Sequence, residues 1–178
     1  MSEYRVASRY AKSLLGLAQE RGVLEEVHDD LQLFRKVCEE NRDFVVMLKN
    51  PIITHDKKTV ILNKLFESKF QQETVAFLGI IAQKHREMLL PAIADEFHKQ
   101  YNDHHGIGMA NVTTVIPLDD TLRQDFKTLT GGLIGKQKIE LSENIDKDLI
   151  GGYVLKVEGK QVDESLRGKL NELSLIFS

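Results

Sequence analysis

The sequence predicts a mainly α-helical protein with a small α+β domain at its C-terminal end, and three observations carry that prediction. Over roughly the first hundred residues apolar side chains recur only at helical spacing; the pattern breaks at His104, His105, Gly106, Ile107 and Gly108; beyond Ala110, β-branched residues, paired glycines and tight turns appear at strand-like density. The expected division is a six-helix bundle over residues 1–105 and a small domain of mixed strands and helices over residues 106–178.

Tyr4 to Glu20 reads as the first helix, with Ala7, Ala11, Leu14 and Ala18 on one face and Gly22 past its end. Those small side chains allow close helix approach. Leu24, Val27, Leu31, Phe34 and Cys38 mark a second helix, and Asn41 and Asp43 are cap candidates for a short third around Phe44 to Leu48, stopped by Pro51. Thr54 is placed to cap a fourth helix carrying Ile61, Leu65 and Phe66. A fifth centres on Val75 to Ala82, and a sixth, entered through Pro91, carries Ile93, Phe97 and Tyr101. Six short helices with brief connectors imply an antiparallel bundle.

In the second half, Ala110 to Ile116 reads as a strand, Pro117 and Leu118 turn the chain, and Asp119 or Asp120 caps a helix carrying Leu122, Phe126 and Leu129. The run Gly131 to Gly135 reads as a glycine-rich helix end. Ile139 and Leu141 alternate as a strand, Gly151 and Gly152 precede another, and a tight turn at Glu158 to Lys160 leads into a strand end. Asp163 is the natural N-cap of a last helix on which Leu166, Leu170, Leu173 and Phe177 recur at helical spacing. A domain of about 70 residues has a marginal core, so this half is expected to lean on the bundle or on a partner.

Composition narrows the function. A formal charge of -3 and a pI near 6.1 leave no positive excess for a phosphate backbone, which argues against nucleic acid. Cys38, the single cysteine, rules out an intramolecular disulfide and reads as a small buried residue on the second helix. Met1 to Arg9 lacks the apolar core of a signal peptide, and the longest apolar run, Val75 to Ala82, falls far short of the roughly 20 residues that span a bilayer. The chain is expected to be soluble, with no direct membrane insertion, and to be held at any membrane by other proteins.

No chemical constellation emerges. Gly131 to Lys136 superficially suggests a phosphate loop, but that motif needs glycine where Thr130 stands and serine or threonine where Gln137 stands. Gly106 and Gly108 give only a fragment of a dinucleotide fingerprint. His104 and His105 are adjacent, so they point in different directions, and further ligands at zinc spacing are lacking. The pairs Glu25 with Glu26, Asp29 with Asp30 and Asp119 with Asp120 read as solvated helix faces or caps. No catalytic residue, cofactor, metal or small-molecule substrate is expected.

One set of residues recurs in a recognisable order. It comprises Val6, Ala7, Arg9, Tyr10, Ala11, Lys12, Leu15 and Ala18; Asn50, Pro51 and Lys57; and Arg86, Leu90, Ile93 and Phe97. It continues with Ala110, Val112, Pro117 and Leu118, and closes with Ile145, Asp146, Leu149 to Val154, and Val162 to Arg167. In these residues and spacings the chain resembles the delta subunits of bacterial F-type ATP synthases, the family that includes the mitochondrial oligomycin-sensitivity-conferring protein. The resemblance implies a non-catalytic peripheral-stalk, or stator, subunit that links the alpha3beta3 catalytic head to membrane-anchored b subunits and resists rotor torque. The implied partners are the N-terminal helix of an alpha subunit for the bundle and the C-terminal region of the b subunits for the second domain. The implied location is the cytoplasmic side of a bacterial inner membrane.

Two helices carry more apolar surface than a bundle needs. Val75 to Ala82 is apolar in every direction around a helix, so either that helix is central or part of it meets another molecule. The first helix has a second stripe, Val6, Tyr10, Leu14 and Leu17, beside its small-residue face. By position, the resemblance makes Val6, Tyr10, Ser13, Leu14 and Leu17, facing Phe77, Ile80 and Ile81, the groove for the alpha-subunit helix, with Lys12 and Lys84 as rim charges. Gly79 in mid-helix costs about 1 kcal/mol against alanine and reads as a point of close backbone contact. For the second partner only Leu173, Ile176 and Phe177 stand out, and the simpler reading packs them on the domain's own sheet. A free-standing helical adaptor is the alternative use of the same surfaces.

Overall fold

The computed structural model describes the backbone of residues 3–176 and the side chains of residues 3–173. The chain divides into two compact units between Tyr101 and Asn102, inside the last turn of a helix. The first unit is built from α1 (Glu3–Arg21), α2 (Leu24–Glu40), α3 (Arg42–Lys49), α4 (His55–Phe66), α5 (Gln72–Gln83), a 3-10 turn (Glu87–Leu89) and α6 (Leu90–His104).

Its core follows the helical period. Ala7, Ala11, Leu14 and Ala18 line the buried face of α1, and Val27, Leu31 and Phe34 that of α2. Phe34 meets Phe44 at 5.8 Å and Phe66 at 5.4 Å between ring centroids, and Phe70 stacks on Phe66 at 4.6 Å. Such pairs add about 0.5 to 1.5 kcal/mol each beyond area burial. This cluster ties α2, α3 and α4 together.

Three sequence expectations fail here for identifiable reasons. Asn41 and Thr54 stand at the N-cap positions of α3 and α4 but make no side-chain cap bond; Asn41 donates back to the Val37 carbonyl instead. The buried face of α4 carries Lys58, Leu62 and Phe66, leaving Leu65 exposed, because the Lys58 ammonium runs inward to the Leu48 carbonyl at 2.7 Å. There it satisfies one of the last carbonyls of α3, which the helix itself leaves unpaired. Asp30 is buried, not on a solvated face: its carboxylate accepts the Gln71 backbone N–H at 2.8 Å and the Thr74 hydroxyl at 2.7 Å. It caps α5 from a neighbouring helix.

The second unit contains β1 (Ile107–Thr114), α7 (Asp120–Ile134), β2 (Lys138–Ile145), a 3-10 turn (Lys147–Leu149), β3 (Tyr153–Val157), β4 (Lys160–Asp163) and α8 (Leu166–Ile176). The sheet order is β2-β1-β3-β4, with β1 parallel to β2 and the remaining pairs antiparallel. The first strand begins at Ile107, earlier than the β-branched run suggests, because Ile107 to Met109 pair with Lys138 to Glu140. It stops at Thr114, whose hydroxyl donates to the Ile116 carbonyl. Ala110, Val112, Leu118, Leu155 and Val157 form the core, flanked by Phe126 and Ile134 of α7. Asp119 caps α7 through the Leu122 N–H at 2.7 Å.

At the end of the sheet, Glu158 and Gly159 both have positive φ, as the tightest two-residue hairpins require. The α8 cap lies two residues beyond the expected one. Asp163 accepts the Ser165 N–H, closing a turn at the end of β4, and the Ser165 hydroxyl oxygen accepts the Gly168 N–H at 3.0 Å. Gly152, at φ +77°, passes so close to this turn that a Cβ there would lie 2.2 Å from the Glu164 carbonyl oxygen. No other residue fits that position.

Candidate functional site

α1 and α5 lie side by side, with the Tyr10 ring edge-on to Phe77 at 6.4 Å. The Arg86 guanidinium donates to the Tyr10 hydroxyl at 2.9 Å. Between the two helices runs an open groove of about 280 Å³, lined by Leu17 and Arg21 from α1 and by Gln72, Glu73, Ala76, Phe77 and Ile80 from α5. Ile80 is 49% and Leu17 38% exposed, whereas Leu14 and Ile81 are 1% and 0% exposed. A partner can therefore touch Leu17 and Ile80, with Phe77 as the groove wall.

Leu14 and Ile81 are core residues. The reason is rotational: Leu14 continues the line of Ala7, Ala11 and Ala18 rather than the second stripe. Val6 and Tyr10 are half-buried, and Ser13 is exposed with its hydroxyl bonded to the Arg9 carbonyl. Reading apolar residues alone missed the polar members Arg21, Gln72 and Glu73, whose helical spacing to Leu17 and Ala76 was the available signal. Gly79 makes no close intramolecular contact, since a Cβ there would meet nothing within 4 Å.

Two titratable groups inside the first unit, Cys38 and Tyr101, are held in their neutral forms by their surroundings. Cys38 is half-buried rather than fully buried, and loss of solvent, then the Asp95 and Glu39 charges, pushes its thiol up to about 12. It stays protonated and is not a nucleophile at neutral pH. Burial, then the hydrogen bond to Glu25, likewise pushes the Tyr101 phenol up to about 12. That phenol donates to Glu25 at 2.6 Å while its ring stacks on His28 at 3.6 Å.

On the second unit, Leu166, Leu170 and Leu173 are 49%, 56% and 50% exposed along one side of α8. Of the residues that the simpler reading packs on the sheet, Leu173 is therefore half exposed; Phe126 and Ile134 of α7 pack against the core there. The Ile176 and Phe177 side chains lie outside the described residues. Ile150, 63% exposed at φ +67°, precedes Gly151, whose carbonyl accepts the Leu166 N–H. A positive φ is rare for a β-branched residue. Lys136, at the end of the false phosphate loop, is paired with Glu158 at 2.7 Å.

One further cluster was not visible in the sequence. His55 Nδ1 lies 2.7 Å from Glu87 Oε1, and the His55 and His85 rings are 3.8 Å apart.

Residues 6–176 match the family model for the ATP synthase delta (OSCP) subunit. The chain belongs to that family. Among its relatives, the ATP synthase subunit delta of Cytophaga hutchinsonii is 41% identical over 178 residues, covering 100% of this chain and 97% of the relative. That of Amoebophilus asiaticus is 38% identical over 177 residues, covering 99% and 96%. A chain of the Toxoplasma gondii mitochondrial ATP synthase hexamer superposes with a TM-score of 0.77 at 20% identity, covering 97% of each chain, and so shares the fold. Membership in the delta family makes this chain a structural component of the F-type ATP synthase peripheral stalk. Among the described residues no helix is long and apolar enough to cross a membrane.

Proposed function

We propose that this delta-family chain joins the catalytic head to the stator stalk by two separate grips. The α1–α5 groove takes the amphipathic N-terminal helix of an alpha subunit, and the second unit holds the C-terminal region of the b subunits, at the cytoplasmic face of a bacterial inner membrane. The observation that carries the first grip is the groove itself: Leu17, Ala76, Phe77 and Ile80 form an apolar trough beside the buried faces of α1 and α5. Glu73 and Arg21 at its edges supply opposite charges that orient an incoming helix.

Gly79 supports the same reading. It lies three residues beyond Ala76, on the same side of α5, in open space. A glycine there weakens the helix for no intramolecular gain, whereas a partner backbone passing close gives it a reason. The second grip rests on the exposed line Leu166, Leu170 and Leu173 beside Ile150. Neither grip makes or breaks bonds. A joint under alternating torque needs slow dissociation, which buried apolar anchors supply better than exposed ion pairs.

Titration calorimetry with a peptide from the N-terminus of the alpha chain tests the groove. Ile80→Asp, at an exposed position, leaves circular dichroism unchanged and weakens binding by about 2 to 4 kcal/mol, because the carboxylate would be buried without a partner. Full affinity in a folded Ile80→Asp chain contradicts the assignment.

A further inference from the structure

We infer that His55, His85 and Glu87 form a binding site for a divalent transition metal of the zinc class. Three separate pieces of the first unit supply the donors: His55 is the first residue of α4, His85 lies just past the end of α5, and Glu87 opens the 3-10 turn. One ligand atom from each lies within 4.8 Å of the other two. Donors around a tetrahedral zinc ion stand about 3.4 Å apart. The His55–Glu87 pair, at 2.7 Å, has to open slightly to admit the ion, and His85, an exposed residue, has to swing in.

The donor set is chemically selective. Two imidazole nitrogens and one carboxylate oxygen, completed by a water, make a four-coordinate site that suits zinc, cobalt or nickel and not magnesium or calcium. Glu87 supplies the independent sign of a ligand. Its side chain is only 2% exposed, and burying a carboxylate is unfavourable unless a cation meets it. His55 meets that oxygen at 2.7 Å, and a metal ion seated between them would meet both groups with a fixed charge. His85 adds a backbone oddity, φ +56°, that sets its ring against His55. The amino-terminal end of α4 opposes a cation, and Glu87 together with Asp56 in the first turn of α4 answers it with negative charge.

Arg86 stands between two of the three ligands and its guanidinium holds Tyr10. A bound ion therefore stiffens the connector from which α1 and α5 are held together. The metal site stands independently of what occupies the groove.

The test is zinc titration of the tag-free, chelator-stripped full chain by calorimetry, with cobalt(II) absorption as a probe of geometry. One zinc per chain is expected, with a tetrahedral cobalt spectrum and no competition from magnesium. His85→Asn, which keeps a residue tolerant of positive φ, and His55→Ala each lower zinc affinity roughly tenfold or more with circular dichroism unchanged. A His104→Ala, His105→Ala double variant keeps wild-type affinity. No saturable zinc uptake overturns the site, as does uptake that survives His85→Asn or disappears in the double variant.

Discussion

Asp30 and Asp163 show how the same side chain is put to opposite electrostatic ends. Burial pushes the Asp30 carboxyl above the ordinary aspartate value of 3.8, against the lowering pull of Thr74 and the Gln71 amide. Hydrogen bonds from Ser165, side chain and backbone, hold Asp163 below 3.8. The signs follow from linkage. Asp163 contributes stability that is complete above its unfolded value and is lost as pH falls through its lower folded value. Asp30 contributes in the reverse sense: its titration favours folding below the unfolded value, and that gain is lost as pH rises through the raised folded value. Carboxyl carbon NMR over an acid titration should find Asp30 titrating above ordinary aspartate and Asp163 below it; coincident midpoints would contradict both environments. Neither role was legible locally. The donors to Asp30 lie 41 and 44 positions away, and a local pattern shows an acidic pair but not the amide that reaches it from another helix.

The elements themselves were largely legible, because helical periodicity and turn residues are local signals. The six helices of the bundle, the Asp119 cap and the hairpin at Glu158 and Gly159 all follow from neighbours in the chain. Errors arose where a distant group decided the orientation: Lys58 turned α4 toward the Leu48 carbonyl, and pairing with β2 drew β1 back to Ile107. Gly79 on α5 read as a point of close backbone contact, and within this chain the space beside it is open. Gly79→Ala should therefore stabilise the isolated chain by about 1 kcal/mol, the helix-propensity difference. The same change should weaken binding of the alpha-chain peptide. Urea denaturation and calorimetry on one variant check both halves, and a stabilised variant with undiminished affinity would remove Gly79 from the interface.

At the scale of the whole molecule, the two compact units divide the proposed labour, so the grips should be separable. Leu170→Glu on α8 should leave the alpha-peptide affinity unchanged while weakening capture of a peptide from the carboxyl-terminal end of the stalk's b chain; paired calorimetric titrations check this, and loss of both affinities would contradict separate grips. Family membership was legible because its signature residues, such as Gly152 under the Glu164 carbonyl, serve local geometry. The groove was half legible. Leu17 follows from the second apolar stripe of α1, and Phe77 and Ile80 from the family resemblance, but neither signal could distinguish Leu14 and Ile81, which the core consumes. His55, His85 and Glu87 were not legible at all, since 30 residues separate the first two and only the packing of α4 against the α5 connector unites them. The central claim is that the trough between α1 and α5 grips a helix of the alpha chain, and amide NMR of the labelled full-length protein titrated with that peptide tests it most directly. Shift changes should concentrate at Leu17, Ala76, Gly79 and Ile80 with the signals of α7 and α8 unmoved; changes centred on any other surface, or none at saturating peptide, would contradict it.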